Sequence, residues 1–94
     1  MRKLIWSKTF VRTLRRALRR QLEISHQVEE VLRILLKDPF TPQLKTHRLK
    51  GKLRDSWACS VGYDLRLIFD FVKQEEGKED DIFLIEIGRH EEVY

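Results

Sequence analysis

Residues 64–72 read Asp-Leu-Arg-Leu-Ile-Phe-Asp-Phe-Val. Side chains alternate along an extended chain, so Leu65, Leu67, Phe69 and Phe71 share one face. Arg66, Ile68, Asp70 and Val72 share the other, with Asp64 just before them. This is the pattern of a strand with one face on a core. Two neighbours repeat it. Ser56 to Val61 sets Trp57, Cys59 and Val61 on one side, and Ile82 to Ile87 is a further apolar run. Between residues 72 and 82, Gln74 to Asp81 is a polar turn around Gly77. Three strands joined this closely form an antiparallel meander, and its apolar face needs a cover.

The N-terminal half supplies that cover. Lys3 to Trp6 reads as a short first strand. Ser7 is a good N-cap, because its hydroxyl accepts from an unpaired backbone N–H one turn later. Phe10, Leu14, Ala17, Leu18 and Leu22 follow at helical spacing. Ser25 is a second N-cap candidate, with Glu29 and Glu30 near the start of its helix, where carboxylates suit the dipole. Val28, Val31, Leu32, Leu35 and Leu36 make the apolar stripe. Asp38-Pro39 ends the helix, because proline drives the preceding residue out of helical geometry. The short link between the helices predicts an antiparallel hairpin. His47 to Gly51 reads as an irregular strand or loop. No repeat or linker interrupts the chain. The expectation is one domain, 1–94, of the α+β class, in the order β-α-α-β-β-β. Two N-terminal helices would lie on one face of a small, mainly antiparallel sheet.

Of the 94 residues, 41% are hydrophobic. A chain of this size buries roughly 60–65% of its unfolded surface, enough to fold alone with little surplus. The net charge is +4, and it is segregated. Residues 1–20 hold eight basic residues and no acid: Arg2, Lys3, Lys8, Arg12, Arg15, Arg16, Arg19 and Arg20. Lys45, Arg48, Lys50, Lys52 and Arg54 form a second basic group, and Glu75, Glu76, Glu79, Asp80 and Asp81 an acidic one. Such segregation favours a polyanionic partner, nucleic acid or an acidic protein, over the plainer reading of a solvated surface. Cys59 is the only cysteine, which excludes an internal disulfide and a Cys-rich zinc site. No apolar run reaches the length of a membrane span, and the basic N-terminus lacks the apolar stretch of a secretory signal. A cytoplasmic protein without a membrane partner is expected.

In the meander, the start of residues 65–72 lies beside the end of residues 82–87. Asp64, Arg66 and His90 are therefore expected at one end of the sheet, with His47 joining them if its segment crosses there. Two histidines, a carboxylate and several cations suit RNA cleavage without a metal. A 2′-hydroxyl attacks the adjacent phosphorus and the 5′-oxygen leaves. One group takes a proton and another gives one, and histidine titrates near working pH, at about 6.5. Arginine and lysine stabilise charge building on the phosphate. Tyr94 offers a ring to an unstacked base. Plainer readings stand beside these: inert surface histidines, Asp64 as a turn cap or partner of Arg66, and Tyr94 as a terminal hydrophobe. A metal site on His47, Asp64 and His90 lacks the short ligand spacing common in zinc sites. Ser56 and Ser60 lack a nucleophile elbow, and the glycines form no phosphate-binding loop.

Taken in order, three short motifs carry a resemblance: His47-x-Leu49-x-Gly51, Asp64 with Leu67-Ile68-Phe69, and Gly88-x-His90 with Tyr94. With the element order, they resemble the RelE/ParE superfamily of type II toxins, most of all its YafQ branch of ribosome-dependent mRNA endonucleases. The resemblance implies a toxin that cuts mRNA in the A site of the 70S ribosome and needs no cofactor. It also implies a cognate antitoxin that wraps the toxin in a hetero-oligomer. Carried over by position, His47, Asp64 and His90 match catalytic residues, and Tyr94 matches the aromatic that contacts RNA. Arg66 stands where related sequences carry an arginine at the scissile phosphate. Lys50, Lys52 and Arg89 are expected to assist it. The arginine-rich first helix suits ribosomal RNA phosphates. Two positions depart from the branch: Ser60 replaces a further histidine, and Leu65 replaces a tryptophan after the aspartate. Two other readings remain at this point. One is a ParE-like, non-nuclease inhibitor of DNA gyrase, although ParE-like chains generally lack this histidine set. The other is a basic nucleic-acid-binding module without catalysis.

Overall fold

The computed structural model describes residues 2–50, 55–62 and 64–89. Among these residues, five strands and two α-helices follow in the order β1 (Leu4–Trp6), α1 (Lys8–Arg20), α2 (Ser25–Lys37), β2 (His47–Arg48), β3 (Trp57–Val61), β4 (Leu65–Val72) and β5 (Asp81–Arg89). The sheet order is β1-β5-β4-β3-β2. Strands β2 to β5 pair antiparallel, as the meander requires, and β1 pairs parallel to β5. The fold is the expected α+β arrangement. The stretch at residue 47 adds a two-residue strand at the far edge.

The alternation in 65–72 does what its chemistry dictates. Leu65, Leu67 and Phe69 are buried with Cys59 and Val61 of β3 and Ile82, Leu84 and Ile87 of β5. Phe10 of α1, Val28, Val31 and Leu35 of α2, and Ile24 and Leu44 from the 3-10 turns join that core. Each such side chain contributes about 1.5–3 kcal/mol by leaving water. The opposite face is not bare, because Leu49, Ala58 and Ile68 form a small second cluster with Ile85.

α1 starts as the sequence predicts. Ser7 has extended geometry and its hydroxyl accepts from Phe10 N at 2.9 Å. Its end differs from expectation. The helix stops at Arg20, and Leu22 is 74% exposed rather than part of the apolar stripe. Gln21 leaves helical geometry (φ −143°, ψ 86°), and a 3-10 turn over Leu22–Ile24 leads directly into α2. Ser25 is therefore the first residue of α2 and not its cap; Ile24 holds the cap position without a side-chain hydrogen bond. The end of α2 at Asp38 is as expected.

The last strand is longer than its apolar run, and it carries a bulge. Ile68 pairs with Glu86, yet Phe69 pairs with Leu84, so Ile85 is the extra residue on β5. The bulge shifts the alternation by one step. Ile82 and Leu84 reach the core before it and Ile87 after it. Gly88 then stands opposite Arg66, and Arg89 opposite Leu65.

Two polar junctions fix β5. Thr13 of α1 is buried, and its Oγ1 accepts from Ile87 N at 3.1 Å while lying 2.9 Å from Thr9 O. A helix side chain thus satisfies a strand N–H beyond the end of β1. At the other end, the buried Asp81 carboxylate accepts from Lys3 N at 2.8 Å and from Gln74 Nε2. Arg2 caps this junction. It donates to Asp80 O and Leu35 O and pairs with Glu79 at 3.3 Å, with its side chain only 11% exposed. One cation of the N-terminal basic group therefore serves the fold.

Candidate functional site

Directly opposed residues in a sheet share a face. His47 stands opposite Ala58, and Ala58 opposite Ile68; Ser60, Arg66 and Gly88 form the parallel row. His47, Ser60 and Arg66 therefore share the face opposite the helices. Strand spacing of about 4.8 Å and a rise of about 3.3 Å per residue set the His47 and Arg66 α-carbons about 12 Å apart. A gap of that size is bridged by substrate, not by direct contact.

His47 is exposed, and its Nδ1 lies 3.0 Å from the carbonyl of Lys45. A carbonyl oxygen only accepts, so Nδ1 carries the hydrogen, and in the neutral ring Nε2 carries the lone pair. Lys45 has a left-handed backbone (φ 52°), uncommon for a residue with a side chain, at the end of the 3-10 turn Pro42–Leu44. That turn aims the carbonyl at the imidazole. Lys50 is exposed just after β2.

Arg66 is half-buried and folds back, with Nη1 donating to Leu65 O at 3.0 Å. Its charge also reaches Cys59, where it partly opposes burial. Burial wins, and the thiol is pushed up to about 12. Cys59 is a core residue held neutral, not a nucleophile. Asp64 does not take Arg66 as its ion partner: its Oδ2 lies 3.5 Å from Arg89 Nε. Both side chains are about half exposed. Leu65, at the position of the expected tryptophan, is buried towards the helices. His90, Tyr94 and Lys52 lie outside the described residues.

The arginine-rich helix was expected to meet RNA phosphates, but the cleft that it forms with β5 behind Arg89 was not. Arg12, Arg16 and Arg20 of α1 line a cleft of about 130 Å³ with Leu65, Ile87 and Arg89. The signal was present in the sequence as arginines at i, i+4 and i+8, one face of a helix. At the opposite end of the sheet, Phe40 is 54% exposed and stacks on Phe71 and edge-on to Trp57, which Arg48 covers at 5.7 Å. Among the described residues, no group of three or more His, Cys, Asp or Glu side chains is close enough to hold a metal ion. No helix among them is long and apolar enough to cross a membrane.

A two-helix layer on a mixed five-stranded sheet is the fold of the RelE/ParE toxins. The YafQ family model, a bacterial toxin of type II toxin–antitoxin systems, matches residues 2–94. The chain belongs to that family. Among solved structures, a YoeB/ParE toxin from Agrobacterium tumefaciens is 19% identical with a TM-score of 0.75, over 94% of this chain and 98% of that one. A copper-bound mutant toxin from Helicobacter pylori is 29% identical, with a TM-score of 0.72 over the full length of both chains. The Escherichia coli DinJ–YafQ toxin–antitoxin complex has a chain 15% identical, with a TM-score of 0.73, over 99% of this chain and 97% of that one. A comparison with curated protein sequences found no match.

Proposed function

We propose that this toxin is a ribosome-dependent endoribonuclease that cuts mRNA in the A site and so stops translation in the cytoplasm. The observation that carries the reading is the register that gives His47 and Arg66 one helix-free face, with Asp64 and Arg89 at its end. Neutral His47 removes the proton of the 2′-hydroxyl through Nε2, helped by the hydrogen bond that Nδ1 makes to Lys45. The 2′-oxygen then attacks the adjacent phosphorus. His90 gives a proton to the departing 5′-oxygen, leaving a 2′,3′-cyclic phosphate and a 5′-hydroxyl. Arg66, with Lys50, Lys52 and Arg89, stabilises the charge that builds on the phosphate oxygens. Asp64 orients this set, and Tyr94 stacks on a base. No step calls for a metal.

A cognate antitoxin is the second partner, binding in a hetero-oligomer as DinJ does with YafQ in the Escherichia coli complex. The test is induction without antitoxin, followed by mapping of mRNA 5′ ends and of DNA breaks. In-frame mRNA cuts that vanish in His90→Ala support the reading. Intact mRNA with broken DNA points instead to a gyrase-directed toxin.

A further inference from the structure

From the cleft between α1 and β5 we infer a phosphate-binding groove that holds the RNA strand after it leaves the reaction face. This rests on the reading of the chain as an RNA-cutting toxin. Arg12, Arg16 and Arg20 stand along one face of α1, at steps of about 6 Å. Arg89 lines the same cleft, and Glu86, opposite Ile68 in the register, is the one acid among its described lining residues. The bulge at Ile85 is what brings Arg89 to this side, opposite the buried Leu65. Arg89 also pairs with Asp64. The cleft therefore begins where the proposed reaction site ends. A strand lying across Arg66 would pass round the end of β4 and β5 and meet the arginine row.

The ligand class follows from what lines the cleft. Its apolar residues are Ala17, Leu65 and Ile87, of which the last two are buried. Among the described residues, the large exposed hydrophobic side chains, Ile5, Trp6, Leu22, Leu36, Phe40 and Val72, all lie elsewhere. A protein segment docks through large apolar anchors, and the described lining of this cleft exposes none. Guanidinium groups around a space of about 130 Å³ suit phosphate groups, which they bind with two parallel hydrogen bonds each.

The test is the salt dependence of binding to a short single-stranded RNA with 2′-O-methyl sugars, which cannot be cleaved by 2′-oxygen attack. Arg12→Gln with Arg16→Gln should flatten the slope of log affinity against log salt by about 1.4, at roughly 0.7 per phosphate contact. Both residues are exposed, so the melting temperature should hold. Lys8→Gln with Arg15→Gln, on the same helix but outside the cleft, should leave the slope unchanged. Equal losses in the cleft and control variants would overturn the groove. So would lost binding to an oligoglutamate peptide with RNA binding intact, which would mark an acidic protein site. His47→Ala should abolish cleavage on ribosomes and keep the full slope. A wild-type toxin that never cleaves, yet shows the slope change, would sink the nuclease reading and leave the groove standing.

Discussion

Asp64 Oδ2 lies 3.5 Å from Arg89 Nε, linking the residue before β4 to the last residue of β5. Both side chains are about half exposed, and such pairs contribute at most about 1 kcal/mol to stability. Asp64→Asn should therefore shift the urea midpoint little. It should lower single-turnover mRNA cleavage on ribosomes by about 10²-fold, the scale of a 1 Å misplacement of the reacting groups. A large stability loss with unchanged cleavage would make the pair structural.

Thr13 is the opposite case. Its hydroxyl accepts from Ile87 N inside the core, and Thr13→Val keeps the shape while orphaning that N–H. Urea denaturation should show a loss of about 1–3 kcal/mol. Thr13→Ser should recover most of it, because the oxygen returns.

The same reasoning applies to Asp81, whose buried carboxylate holds Lys3 N and Gln74. Asp81→Ala should cost about 1–3 kcal/mol, and amide exchange should rise first at β1. Exchange rising uniformly across the sheet would show that β1 is not held by this residue.

The fold was legible where side-chain period carried it. Residues 65–72 alternate as a strand with an apolar core face, and Ser7 stands before a helical stripe and caps it. The parallel pairing of β1 was not legible, because three residues carry no periodic signal and their partner lies almost eighty residues away. Leu22 misled because its spacing fits the stripe, while the helix ends two residues earlier. The Asp64–Arg89 pair could not be read either. Strict alternation sets Arg89 on the face of Arg66, the bulge at Ile85 turns it to the face of Leu65, and the pair forms at the strand end, where Asp64 precedes β4. Of the candidate site, His47, Asp64, Arg66, Lys50 and Arg89 fall within the described residues, and His90, Tyr94 and Lys52 do not.

Cys59 sets a pH dependence. Its thiol is pushed from 9.0 up to about 12 by burial, so the unfolded chain releases this proton first. The neutral thiol's contribution is complete below about pH 9 and is lost as pH rises towards 12. Denaturation midpoints should fall more steeply above pH 9 in the wild type than in Cys59→Ala. Parallel curves would contradict the burial argument. A thiol reagent at neutral pH should label the unfolded chain and not the folded one.

The central claim is that a metal-free acid–base site cuts mRNA on the ribosome. The most direct measurement is end-group analysis of a defined mRNA bound to intact ribosomes and incubated with purified toxin that was stripped of metal beforehand. The account predicts a cut in the A-site codon, leaving a 2′,3′-cyclic phosphate and a 5′-hydroxyl, absent in His47→Ala and His90→Ala. Intact mRNA, or a 5′-phosphate end, would contradict it.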